Sequence, residues 1–180
     1  MTAFAPPSDW ASRPSPNFGT RKQPTTAIVL HADASSSIDS SIDWVTRQES
    51  HVSYHIMIGR TGKVFLIVSP DHVAWHAGTS KMGARENVNG FSIGVCLSNR
   101  NDGHEEHPQP QLDAAVKVCA LLCKHYAISS TQITTHALVA TPPGRKTDPK
   151  MVNLAAFQYA VQEQLKAMAA QTLPQGATRP

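Results

Sequence analysis

Apolar residues in this chain come in short runs, and the period of the runs changes from segment to segment. Ala27-Ile28-Val29-Leu30 is continuous and of strand length, which suits a buried strand. It ends at His31, so a histidine is expected at a strand's C-terminal edge. Ser37 or Asp39 can cap a helix that carries Ile42 and Val45 and ends near Gln48. Tyr54 to Ile58 alternates across two faces, Arg60-Thr61-Gly62-Lys63 reads as a turn, and Val64 to Val68 returns. Together these residues predict a hairpin. Ser92 to Leu97 predicts another strand. The loop-like stretch between, Ser69 to Gly90, carries His72 and Ala74-Trp75-His76-Ala77-Gly78. A loop with a tryptophan and two histidines is a candidate site wall.

After Pro108 and Pro110 the period becomes helical. Leu112, Ala115, Val116, Cys119, Leu122, Cys123 and Tyr126 fall on one face. Ile133 to Thr135 is a brief strand ending at His136. A last helix is predicted from about Asn153 to Ala169, with Leu154, Phe157, Val161, Leu165 and Met168 inward. Residues 1–25, rich in Pro, Ser and Thr, read as an irregular N-terminal arm. Residues 26–170 form one catalytic-size domain, and 171–180 read as a disordered tail. Alternating strands and helices place the chain in the α/β class, with a mixed central β-sheet flanked by helices.

Composition narrows the function classes. With 180 residues, 41% hydrophobic and 16% charged, the chain is globular. A net charge of +3 is too small, and Lys/Arg too dispersed, to argue for nucleic acid. No stretch approaches the roughly 20 apolar residues of a spanning helix. The first residues lack the basic and apolar regions of a signal peptide, so cytoplasmic synthesis is expected. An odd count of three cysteines argues against a disulfide framework. Cys96, Cys119 and Cys123 are expected as buried free thiols.

Nine histidines are present, and His51, His104, His107 and His125 read as surface or satisfied polar groups. His31 and His136 differ, because each follows a short apolar strand. Asp148 comes twelve residues after His136, across a loop with Pro142-Pro143-Gly144. Two imidazoles and a carboxylate are a common ligand set for catalytic zinc. The spacing alone also allows an ordinary structural role for all three.

Further motifs occur in a set order. Ser15-Pro16-Asn17-Phe18 with Arg21 precedes Ile28-Val29-Leu30-His31, then Val52-Ser53-Tyr54-His55-Ile56-Met57-Ile58 and Gly62. Ala74-Trp75-His76-Ala77-Gly78, Phe91-Ser92-Ile93-Gly94-Val95, Thr135-His136 and Pro143-Gly144-Arg145-Lys146-Thr147-Asp148-Pro149 follow. From about Ser15 to Phe157 the chain resembles the N-acetylmuramoyl-L-alanine amidase type 2 family. The resemblance implies one Zn2+ per chain held by His31, His136 and Asp148, on that family's peptidoglycan-recognition-like fold. It implies hydrolysis of the amide between the lactyl group of N-acetylmuramic acid and the L-alanine of the stem peptide.

In that scheme Lys146 stabilises the oxyanion and Tyr54 orients the attacking water or relays a proton. Trp75 and His76 line the groove for sugar and peptide. His55 should face the other side of its strand from Tyr54 and is not expected as a ligand. Recycling-type members often carry a glutamate where this chain has Cys96, and a thiol cannot act as that carboxylate at neutral pH. The expected role is a phage or prophage endolysin, made in the cytoplasm and acting on the wall after release. The alternatives are a cytoplasmic recycling amidase acting on anhydromuropeptides, a delivered antibacterial effector, or a non-catalytic peptidoglycan-binding module. The expected partner is peptidoglycan or a muropeptide, with no nucleic acid and no membrane, and the expected state is a monomer.

Overall fold

The computed structural model describes residues 2–172. Its strands are β1 (Ala11–Ser12), β2 (Phe18–Thr20), β3 (Ala27–Ala32), β4 (Ile56–Ile58), β5 (Val64–Leu66), β6 (His72–Ala74), β7 (Lys81–Met82), β8 (Arg85–Glu86), β9 (Ser92–Leu97) and β10 (Ile133–Thr135). The helices are α1 (Ile38–Val45), α2 (Gln109–Tyr126), α3 (His136–Val139) and α4 (Leu154–Thr172).

Six strands form one mixed sheet in the order β1-β5-β4-β9-β3-β10. Only the β4–β5 hairpin pairs antiparallel within it; the other neighbours are parallel. The hairpin turn needs Gly62, at φ +84°, where a Cβ would stand 2.7 Å from the Pro110 carbonyl oxygen. β3 and β9 are buried throughout, as parallel strands covered on both faces require.

Alternation sorts these two strands into two environments. Ile28, Leu30, Ile93, Val95 and Leu97 pack with Ala115, Cys119 and Leu122 of α2 and with Phe157 and Val161 of α4. Burying a side chain such as Leu122 completely contributes about 1.5–3 kcal/mol. Val29, Met57 and Cys96 belong to two smaller clusters on the opposite face. That opposite face is also where alternation sends His31, Ser92 and Gly94.

The helices follow their sequence signals, with instructive shifts. Ser37 caps α1, its side chain accepting from the Ser40 N–H. The inward face of α2 is turned slightly from the expected one, so that Gln111, Val118 and Ala120 are buried and Leu112 and Val116 are half-buried. Gln111 earns its place by donating to the Ile58 and Ser98 carbonyls at 2.9 and 3.0 Å, where the β4 and β9 strands end. α4 runs to Thr172, three residues past the expected end, so positions 171 and 172 are helical rather than tail. The remainder of the expected tail lies outside the described residues. All three cysteines are buried and free.

Two expectations change. The first 25 residues contain β1, paired to β5, and β2, paired to β6, so the arm is stitched into the fold. Asn17 anchors it, donating to the Val45, Arg47 and Val52 carbonyls and to Ser50 Oγ. Strands of two or three residues leave almost no period to read. The second change concerns Tyr54 and His55, which both lie on the site side of the sheet. Alternation does not separate them because ladder pairing in β4 begins only at Ile56.

His55 is fully buried. Its Nδ1 accepts the Gly94 N–H at 2.8 Å, and its Nε2 lies 3.1 Å from the His72 carbonyl oxygen, 3.2 Å from Arg21 Nη2 and 3.3 Å from the Ala74 nitrogen. Burial, with Arg21 close by, lowers its pKa to about 3. An unfolded histidine takes up its proton near 6.5, so below that pH the unfolded chain binds a proton that the folded chain refuses. Stability from this group is therefore complete above about pH 6.5 and falls as pH drops towards about 3. At full slope one such histidine contributes about 1.4 kcal/mol per pH unit. Denaturant titrations of metal-free protein between pH 4 and 7 should show His55→Asn losing about one proton's worth of that slope. An unchanged slope would mean that His55 is not held neutral.

Candidate metal centre

Strand register brings the first two candidate ligands together. Thr135 of β10 pairs with Leu30 of β3, so the next residues, His136 and His31, stand level at the ends of neighbouring strands. Their ring centroids are 4.6 Å apart. The loop after α3 returns Asp148 to the same place, where its carbonyl accepts the Ala137 N–H at 2.9 Å. Ligand atoms of His31, His136 and Asp148 all lie within 4.8 Å of one another, and all three residues are buried.

The hydrogen bonds say which atoms face each other. Asp148 Oδ2 is 3.1 Å from His136 Nδ1 and 3.4 Å from His31 Nδ1. His136 Nε2 is 3.2 Å from the Ala77 carbonyl oxygen. A neutral imidazole has one N–H, so it cannot donate to both Ala77 and Asp148. With the proton on Nε2, the Nδ1 lone pair of His136 meets the carboxylate. His31 Nδ1 is buried and makes no hydrogen bond, its approach to Asp148 being an ion-pair distance without donor geometry. Two imidazole lone pairs and a carboxylate oxygen thus converge, and a cation between them resolves the repulsion. The donor set fits a zinc-like ion.

The charge states agree. Burial lowers His31 to about 4, against the pull of Asp148, so at neutral pH it offers a lone pair. Burial alone would raise Asp148, but the adjoining His136 and His31 outweigh it and hold the carboxyl below its usual range. Burial also drives the Cys96 thiol well up, so it stays protonated and cannot serve as a base.

A groove of about 540 Å³ opens over this cluster, and Tyr54, Trp75, Asn89, Arg145 and Lys146 line it together with His136 and Asp148. Tyr54 is half-buried, its ring 5.1 Å from that of His31. Burial, and then the neighbouring Cys96, raise its pKa well above normal, so its hydroxyl keeps its proton. Lys146 is exposed on the groove rim. Trp75 is half-buried and stacks with His51 at 6.4 Å. His76 lies on the groove floor, only 5% exposed, with its ring on the metal side. The structure therefore gathers every residue that the sequence singled out, although at different depths.

Sequence reading missed the residues that hold the loops. Asn89 Oδ1 accepts from the His76 and Ala77 N–H groups at 3.2 and 2.7 Å. The Arg145 guanidinium donates to the Ala77, Thr79 and Thr141 carbonyls, tying the Asp148 loop to the Trp75 loop. Ser92 stands behind His76. Nothing in local period or spacing marks Asn89 or Ser92. A second groove, about 450 Å³ between α2 and α4, is lined by Leu112, Val116 and Phe157 and contains no ligand cluster among the described residues.

The profile of the N-acetylmuramoyl-L-alanine amidase family matches residues 21–151. The 1,6-anhydro-N-acetylmuramyl-L-alanine amidase AmpD of Citrobacter freundii is 41% identical over 98 residues, 54% of this chain and 50% of that protein. The N-acetylmuramoyl-L-alanine amidase AmiD of Escherichia coli (strain K12) is 29% identical over 150 residues, 72% of this chain and 52% of that protein. The chain spans about half the length of the curated relatives it matches. The crystal structure of a selenomethionine AmpD derivative superposes with a TM-score of 0.70 at 25% identity, over 86% of this chain and 95% of that one. AmiD from E. coli, in complex with the substrate anhydro-N-acetylmuramic acid-L-Ala-D-gamma-Glu-L-Lys, gives 0.68 at 23% identity, over 76% of this chain and 57% of that one, a likeness of fold. With that profile covering most of its length and both strands that lead into the candidate ligands, this chain belongs to the N-acetylmuramoyl-L-alanine amidase family.

Proposed function

We propose that this protein is a zinc-dependent N-acetylmuramoyl-L-alanine amidase that hydrolyses the lactyl–L-Ala amide. The observation that carries the reading is the convergence of three buried ligand residues under a groove inside the family match. Zinc held there supplies a Lewis acid for the scissile carbonyl and lowers the pKa of a bound water.

The chain's own residues do the rest. Lys146, on the rim, presents its ammonium to the carbonyl oxygen as negative charge grows there. Tyr54 keeps its proton at neutral pH and can relay it to the departing L-alanine nitrogen. The missing carboxylate at Cys96 leaves this proton path to Tyr54. Trp75 offers a flat apolar face to sugar or peptide.

Relatives named as acting on the 1,6-anhydro form favour a soluble anhydromuropeptide as substrate and a recycling role, in place of the endolysin role expected from sequence. Metal-loaded protein should release L-alanyl peptides faster from 1,6-anhydromuropeptides than from intact sacculi. Preference for sacculi would return the endolysin reading. Binding without cleavage of either would overturn the enzyme.

His136→Ala should abolish both zinc retention and turnover, and an active zinc-free variant would remove the site assignment. Tyr54→Phe should keep its zinc and lose about 10²-fold or more in kcat, the usual scale for losing a proton-transfer group. Unchanged kcat would exclude Tyr54.

A further inference from the structure

His76 was expected to touch substrate, but both of its ring nitrogens are engaged inside the protein. Ser92 Oγ donates its only proton to the Val88 carbonyl at 2.6 Å. It must therefore accept from His76 Nε2, 3.3 Å away, which places the His76 proton on Nε2. His76 Nδ1 is then a bare acceptor, and His31 Nε2 lies 3.0 Å from it. The proton of His31 is thereby drawn to Nε2, and His31 Nδ1 is left as the lone pair facing Asp148 and His136.

The packing holds this relay in place. A Cβ at Gly94 would come within 2.5 Å of His76 Cγ, so the ring lies on β9 only because position 94 has no side chain. The His55 ring meets its edge at 5.6 Å, and Asn89 fixes its backbone N–H. At 5% exposure His76 has no free polar atom to offer a ligand.

We infer that His76 is a positioning residue for the metal site, the middle of a Val88–Ser92–His76–His31 relay that fixes His31 in its metal-binding tautomer. An imidazole ligand whose second nitrogen is hydrogen-bonded is held in one tautomer and orientation. Here a second neutral imidazole plays the acceptor, and a serine hydroxyl sets its polarity. The inference rests on the proposed metal site.

The test uses the full chain, with zinc affinity measured by competition against a chromophoric chelator and tautomers read by 15N NMR of metal-free protein. Wild type should bind zinc and show His31 protonated at Nε2. His76→Leu should weaken zinc binding by about 10–100-fold, the scale for losing such a partner, and should mix the His31 tautomers. His76→Asn, whose Oδ1 can stand near the former Nδ1, should restore most of the affinity and the single tautomer. If His76→Leu fails to fold, Ser92→Ala keeps the ring and removes only the group that sets its polarity. It should mix the His76 and His31 tautomers and weaken zinc binding in the same direction. Wild-type protein that takes up no zinc refutes the site itself. Wild type that binds zinc while His76→Leu, or Ser92→Ala in its place, binds equally well refutes the relay alone, as does Asn failing to rescue a folded Leu variant.

Discussion

Strand β3 lies between two parallel partners, and its register against them decides which side chains share the site face. Leu30 and Val95 pair, as do His31 and Cys96, while Thr135 beside Leu30 sets His136 level with His31. Slipping β3 by one residue would exchange its two faces, driving His31 into the helix-packed core and Leu30 into the groove. That exchange would expose apolar surface and bury an imidazole without partners. The hydrophobic pattern that fixes the fold is therefore also what aims the ligand.

The groove walls are held differently, by polar groups inside the molecule. Asn17 ties the arm to the residues before Tyr54, and Ser53 carries that tie onward by donating to the Asn17 carbonyl and accepting the Trp75 N–H at 2.9 Å. Arg145 and Asn89 then fix the Trp75–Ala77 backbone from the other side. Arg145 is exposed, but Asn17, Ser53 and Asn89 are buried or half-buried, where an unmade hydrogen bond costs about 1–3 kcal/mol. The loops are consequently as determined as the strands, although no secondary structure defines them.

This division explains what the sequence disclosed. The long apolar periods of β3, β9, α2 and α4 are locally encoded, and a histidine directly after an apolar run can be seen in one dimension. Asp148 became legible only through its motif, because a loop returns it. The strands of the N-terminal arm were too short for any period. The burial of Gln111 ran against its polarity, since what draws it in is a pair of sheet-end carbonyls far away in sequence. His76 was legible as a groove residue, but its hydrogen-bond partners were not. Its partners, His31 and Ser92, are 45 and 16 residues away, and only the folded pairing reveals them.

The same relay bears on how the centre would receive a cation. Ser92 and His76 orient the lone pair of His31, and the Ala77 carbonyl does the same for His136, so both imidazoles turn a bare nitrogen towards an ionised carboxylate. Without a cation these acceptors repel each other in a buried setting where water screens little. A divalent ion converts that repulsion into attraction, so its binding adds directly to the stability of the fold. Two neutral imidazoles and one carboxylate also leave such an ion with residual positive charge, the condition for polarising a carbonyl rather than merely filling a structural site.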